Sequence, residues 1–361
     1  MKRFVAIFII FIFIFNSCDY CPTQSRGDIL EWKTSTPSEQ GLNTEQLDIA
    51  LNEAENHSSI YSVLVIRNGY IVAERYYRGY DASSSFNVRS VSKSYLSALT
   101  GIAIENGVIK NINEKMLDFF PEYGQSGLDP RKQDITIKHL LTMQAGIDSE
   151  RNNNNYSRLY DTSNWIQSAI EEPLLYNPGT THSYNTFLTH LLSGIITKES
   201  GMSTFDFGQK YLCDPLGTTI QDWQQSPQGI YYGGNSMYFT TRDMAVLGYL
   251  YLNNGEINGI QIVPREWVEE SLKNRMPEQQ SGWTWGDLSY GGYGYLWWLG
   301  KIKGYKVFLA IGHGGQFVIN FPELDMIIAT NSNAYVGWTT AEINERSVLD
   351  LIANYIVPAV Q

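Results

Sequence analysis

Cysteine is scarce in this 361-residue chain, with three in all: Cys18, Cys21 and Cys213. So few exclude a disulfide-built scaffold; one bridge, Cys21 to Cys213, is the most that Cys18 leaves room for. Histidine is nearly as rare. The five (His57, His139, His182, His190 and His313) show neither HExxH nor paired-cysteine spacing, so no metal centre is expected. Positive charge is also short: 26 Lys and Arg against 37 Asp and Glu leave a net charge of −11. Without a basic cluster the chain has no electrostatic footprint for nucleic acid. What it does have is an ordinary globular composition, 43% apolar and 17% charged. Its length suits one large enzyme domain or two closely packed lobes.

The start, "MKRFVAIFIIFIFIFNSC", combines Lys2 and Arg3 with an apolar run from Phe4 to Phe15. That run is short for a membrane span and suits the hydrophobic region of a secretory signal over residues 1–17. A retained membrane anchor is the competing reading. Ser17 directly before Cys18 resembles a bacterial lipobox, which implies lipidation at Cys18 and contact with a membrane through that anchor alone. The expectation is export to the bacterial cell envelope, on the periplasmic side, with residues 18–29 as a tether and 30–361 as the folded domain.

Along that domain, "LNTEQLDIALNEAEN" (42–56) has helical spacing, with Thr44 as the expected N-cap. Asn68-Gly69 between two β-rich runs predicts a hairpin. Helices are predicted at "YLSALTGIAIENG" (95–107), at 134–147 from a cap near Thr136 to Gly146, and near 162–172, 185–200 and 203–213. An asparagine-rich polar loop fills 151–161. "TTRDMAVLGYLYLNNG" and "VPREWVEESLK" predict two more helices. "GYGYLWWLG", "YKVFLAIGHGG", "QFVINFP" and "MIIATNSN" read as consecutive strands, and a helix over 341–356 closes the chain. This order predicts an α+β fold: an antiparallel sheet flanked by the terminal helices, with a mostly helical lobe beside it. The sheet lobe spans about 30–92 and 235–361, the helical lobe about 93–234.

The octet "RSVSKSYL" (89–96) carries the chemistry. Ser90 and Lys93, three apart at a helix start, share a face. There a helix N-terminus favours a developing oxyanion, and a desolvated lysine accepts a proton. The bland alternative is that Ser90 caps the helix and Lys93 is solvated. Two later segments bear on the choice: Tyr184-Asn185-Thr186 at a helix entry, and His313-Gly314-Gly315 beside a strand.

Together these motifs resemble the serine β-lactamase-related superfamily: class C β-lactamases, DD-peptidases, esterases of that fold and 6-aminohexanoate-dimer hydrolases. Its pattern is S-x-x-K, then Y-x-N or Y-x-T, then K-T-G or H-x-G. The resemblance, covering about residues 30–360, implies a β-lactamase/transpeptidase-like fold and an exported serine hydrolase without metal or organic cofactor. Ser90 is the implied nucleophile, with Lys93 and Tyr184 as acid and base. The N–H groups of Ser90 and Gln316 are the implied oxyanion hole. Thr186, His313, Gly314 and Gly315 are the implied substrate contacts.

Two departures bear on the substrate, which is expected to be a small or peptide-like ester or amide. His313 stands where many relatives have a permanently charged lysine, and Thr186 where class C enzymes have asparagine; both disfavour β-lactams. A cell-wall DD-peptidase or β-lactamase is the nearer alternative, and a non-catalytic envelope binding or sensing lipoprotein the farther one. Ser92 and Ser94 are expected to be structural. His182 and His190 are expected in the core or beside a helix. Tyr293, Tyr295 and Trp297 are expected to pack a sheet face. Asp148, Glu150 and Asn152–Asn155 are candidates for the cleft wall.

Overall fold

The computed structural model describes residues 30–124, 127–150 and 159–361. The signal-type segment, Cys18, Cys21, the tether and the asparagine run at 152–155 lie outside these residues.

A nine-stranded sheet forms the centre. In chain order its strands are β1 (Lys33–Thr34), β2 (Ile60–Arg67), β3 (Tyr70–Tyr76), β4 (Trp283–Trp285), β5 (Leu288–Tyr293), β6 (Trp298–Ile302), β7 (Tyr305–Gly312), β8 (Gln316–Phe321) and β9 (Met326–Ser332). In space they run β1-β3-β2-β9-β8-β7-β6-β5-β4. Neighbours are antiparallel except β1, which lies parallel to β3. The predicted hairpin is there. Asn68 and Gly69 take φ of 52° and 78°, the two positive values that a tight turn matched to strand twist needs.

The long central strands alternate between two apolar layers. On β2, Leu64 and Ile66 enter one layer and Val63 and Val65 the other; on β8, Val318 opposes Phe317, Ile319 and Phe321. The second layer is covered by the chain's ends: α1 (Thr44–Asn56) and a C-terminal helix that begins at Trp338. Those ends are stitched by a Leu42–Val360 bridge and by Asn43 N–H donating to Ala359 O at 2.7 Å. The first layer is covered by α2 (Ser92–Glu105), α3 (Thr186–Ser200) and α4 (Thr241–Leu252), and by the shorter helices between α2 and α4. With apolar cover on both faces the strands lose polar alternation, which is why their sequences read as near-continuous apolar runs. The α+β arrangement is the expected one, a broad antiparallel sheet with terminal helices on one side and helices on the other.

Local differences have physical causes. Asn43, not Thr44, caps α1: its Oδ1 accepts from Gln46 N–H at 2.9 Å. The predicted 134–147 helix is one turn long, Ile137–Leu141, capped at Thr136 as expected. Beyond it, long-range bonds pull the backbone out of the helix. Leu296 N–H donates to Leu141 O at 3.1 Å and Gln144 Nε2 to Arg275 O at 2.8 Å, while Met143 turns to φ 56°. "GYGYLWWLG" is not one strand but the end of β5, a bend and the start of β6. Gly294 N–H reaches Trp297 O at 2.9 Å and Leu296 sits at φ 60°. Tyr293, Tyr295 and Trp297 are buried as expected, though around a bend rather than along a strand.

Candidate active site

Ser90 lies in the 3-10 turn Arg89–Val91, which runs directly into α2. It does not cap the helix. No side chain caps α2, and it is Ser92 Oγ that bonds back, to Arg89 O at 2.6 Å. Arg89 is held at φ 51°, in a region that side-chain-bearing residues seldom adopt. Asn87 Oδ1 accepts its N–H at 3.0 Å, and its guanidinium Nε donates to Ala334 O at 2.8 Å over the Tyr335 ring. Strain of this kind survives where the surroundings over-determine it, characteristically at functional sites.

One helical turn on, Lys93 is 1% exposed. Its Nζ donates to Ser90 Oγ at 2.9 Å and to Gly234 O at 2.7 Å. Burial pulls its pKa down from 10.5 to about 8, against the opposing pull of Glu150. The neutral amine is therefore within reach near neutral pH.

The second motif arrives through the N-cap of α3. Asn185 Oδ1 accepts Phe187 N–H at 2.8 Å, while its Nδ2 donates to Asp148 O at 2.8 Å. Tyr184 thus stands just outside the helix. Its ring stacks on Trp298 at 5.6 Å and 23°, and its centroid is 4.9 Å from Lys93 Nζ. Thr186 donates its N–H to Glu150 Oε2 at 2.8 Å.

Ser90, Tyr184, Thr186 and His313 line one cleft of about 790 Å³, a size that holds a small organic or peptide-like molecule. The aromatic stretch 283–298 divides between two jobs: Trp283, Trp285 and Trp298 line the cleft, whereas Tyr293, Tyr295 and Trp297 are core. Asp148 and Glu150 line it too, as does Glu345 from the C-terminal helix. Arg89 is the one Lys or Arg facing these carboxylates among the described lining residues. His182 is also on the wall, beyond its expected core role. Burial holds its pKa down at about 4, so it is neutral, and the wholly buried His190 is lower still at about 3.

The third motif is only partly at the cleft. His313 is: its Nε2 meets Val336 O at 2.7 Å, so the ring hydrogen is on Nε2, and its ring packs edge-on to Trp338 at 4.9 Å. Gly314 and Gly315 instead form the turn behind it, at φ 86° and 106°, with Gly314 N–H donating to Glu345 Oε1 at 2.9 Å. Gln316 has already crossed into β8 opposite Gly312, where its side-chain Nε2 bonds Ser332 O at 2.9 Å. Gln316 is 0% exposed. The turn is so tight that the residue following it belongs to the next strand, and Ile311 and His313 of the β7 end make the wall. Sequence order alone therefore misplaced Gln316, Gly314 and Gly315 relative to the cleft.

Other contributors were not foreseen. Gly234 supplies the carbonyl under Lys93; a Cβ there would lie 2.5 Å from Thr189 Oγ1 and 3.3 Å from Lys93 Nζ. The doublet Gly233-Gly234 was the available signal. Arg89, Trp338 and Glu345 had none.

The family described as Beta-lactamase matches residues 55–351. The chain belongs to the beta-lactamase family. It is with that family a serine hydrolase. It is 26% identical over 331 residues to the 6-aminohexanoate-dimer hydrolase of Paenarthrobacter ureafaciens, covering 83% of this chain and 80% of that protein. An uncharacterized protein of Alkalihalophilus pseudofirmus is 28% identical over 224 residues, 57% of this chain and 62% of that one, so the match spans less than two thirds of that relative. Among solved structures, a Bacillus anthracis protein named after the same dimer hydrolase superposes with a TM-score of 0.72 at 20% identity, over 91% of this chain and 87% of that one.

Proposed function

We propose that this chain hydrolyses an ester or amide through an acyl-enzyme on Ser90. Ser90 Oγ adds to the carbonyl carbon and its proton passes to the Lys93–Tyr184 pair. The pair returns the proton to the departing amine or alcohol as the substrate's C–N or C–O bond breaks. Water then adds to the acyl group through the same pair, and the acid leaves with Ser90 restored. Ser90 N–H is one oxyanion donor. The β7 end at Ile311–His313, which lines the cleft, supplies the second in place of Gln316.

The observation that carries this reading is the buried Lys93 ammonium 2.9 Å from Ser90 Oγ. The direct test is a fluorophosphonate probe followed by intact mass. One adduct is expected on the wild type and none on Ser90→Ala. A wild-type chain that gains no mass and leaves a p-nitrophenyl ester intact refutes catalysis and favours the binding or sensing alternative.

The substrate class is a small or peptide-like ester or amide, in keeping with the dimer hydrolase among its relatives. A β-lactam is the weaker candidate. Its carboxylate would meet Asp148, Glu150 and Glu345, while Arg89 is already engaged at Ala334 O. Labelling by a fluorescent penicillin would reverse that order. Export, with anchoring at Cys18, completes the proposal; it rests on the N-terminal sequence and is tested by fractionation of cells and by mass analysis of the mature N-terminus.

A further inference from the structure

Two segments that are far apart in sequence meet behind the reacting groups. The stretch 148–150 and the turn Tyr184–Thr186 are joined by three hydrogen bonds. Asn185 Nδ2 donates to Asp148 O at 2.8 Å, Glu150 N–H to Tyr184 O at 3.2 Å, and Thr186 N–H to Glu150 Oε2 at 2.8 Å. Glu150 takes part in two of these, once through its backbone and once through its carboxylate. Glu150 is 8% exposed and lines the cleft. A buried carboxylate that receives one neutral N–H is costly to keep unless its charge serves a neighbour.

We propose that Glu150 is a positioning residue for the reaction: it fixes the turn that presents Tyr184 and supplies the negative charge that faces Lys93. This rests on the acyl-enzyme reading above. The two roles act on different groups. The bond to Thr186 N–H sits at the first residue of α3, so losing it leaves the turn that carries Tyr184, stacked against Trp298, held only by Asn185 Nδ2 and the Glu150 N–H. The charge acts on Lys93, whose ammonium otherwise has neutral partners in Ser90 Oγ, Gly234 O and the Tyr184 ring. The other titratable or charged groups facing this space are Arg89, Asp148, Tyr176, His182, Tyr184, His313 and Glu345 on the cleft wall, and Tyr293 beside Glu150. The Glu150 charge opposes the effect of burial on Lys93.

The sign follows. Burial favours the neutral amine and Glu150 favours the ammonium. Removing the carboxylate charge therefore lowers the Lys93 pKa below about 8 and makes the base available at lower pH. Glu150→Gln keeps an acceptor for Thr186 N–H and removes the charge. Glu150→Asp keeps the charge on a shorter arm, and Glu150→Ala removes both.

The experiment is the pH profile of kcat/KM for a p-nitrophenyl ester in wild type and the three variants, with thermal melts and fluorophosphonate labelling alongside. Glu150→Gln is expected to move the acid limb down by about one pH unit, with a smaller loss of kcat than Glu150→Asp. Glu150→Asp is expected to keep the limb within a few tenths of a unit and lose about tenfold in kcat. Glu150→Ala is expected to show both effects. A Gln variant that is folded, labels normally and keeps the wild-type limb overturns the proposal while leaving the acyl-enzyme intact. If the wild type itself never labels, it is the acyl-enzyme reading that has failed. A variant that melts early but keeps both limb and kcat shows a structural residue and likewise overturns the proposal.

Discussion

Replacing Lys93 with methionine, of similar length and no charge, tests whether this amine is held in an unfavourable state for the sake of its reactivity. Burial lowers its pKa from 10.5 to about 8. The group is wholly enclosed, so the shift converts to stability without allowance for solvent screening. At 1.36 kcal/mol per unit it corresponds to about 3 kcal/mol. Below pH 8 both folded and unfolded chains carry the ammonium, and the folded state bears this cost in full. Between pH 8 and 10.5 the unfolded chain binds the extra proton, so wild-type stability rises with pH across that window.

Lys93→Met has no such group. It loses the bonds to Ser90 Oγ and Gly234 O, at a cost of about 1–3 kcal/mol that does not vary with pH. The difference in unfolding free energy, wild type minus variant, should therefore climb by about 3 kcal/mol from pH 7.5 to 10.5. Urea titrations at half-unit pH intervals measure it, because titrations common to both proteins cancel in the difference. The same proton should appear in wild-type turnover. With a pKa near 8, about a tenth of Lys93 is neutral at pH 7, so kcat/KM should rise about tenfold by pH 9. A flat stability difference, or an acid limb centred below pH 6, would show that Lys93 is not the strained base described.

Other tests are shorter. Gly234→Ala puts a methyl against Thr189 Oγ1 and Lys93 Nζ and should cost about 1–3 kcal/mol in denaturant titrations, with a larger loss in turnover than in stability; unchanged turnover would mean the backbone does not support Lys93. Trp298→Ala removes the face on which Tyr184 stacks, and kcat should fall by about tenfold while a fluorophosphonate still labels Ser90 slowly. Cys213 is buried with its thiol pushed up to about 12, so native protein should resist a maleimide at pH 7 and react after unfolding; rapid native labelling would contradict the packing around it.

How much of this was legible in the sequence depended on range. The hairpin at Asn68-Gly69, the Thr136 cap and the helix over Ser92–Glu105 follow from local chemistry, and they stand where residue preferences put them. The pair Ser90–Lys93 was readable for the same reason, since helical geometry fixes neighbours three residues apart. The failures were decided at a distance. The bonds from Leu296 to Leu141 and from Gln144 to Arg275 cut a predicted helix short, and no local pattern announces them. Gln316 was misplaced because motif order counts residues, whereas the width of the turn at Gly314-Gly315 decides which strand a residue joins. Glu345 reaches the cleft from the last helix, a meeting that only the folded sheet arranges.

The position of β2 between β3 and β9 has a consequence for biogenesis. Ser62 and Asn331 share a hydrogen bond across 269 residues of sequence, so the first long strand waits for the last one. The 269 residues that follow Ser62, up to Asn331, must be made before this pairing exists, and until then β2 has only its hairpin neighbour β3. Loop closure on that scale slows compaction. The sheet is thus completed late, when β9 joins the β2–β3 hairpin to β8.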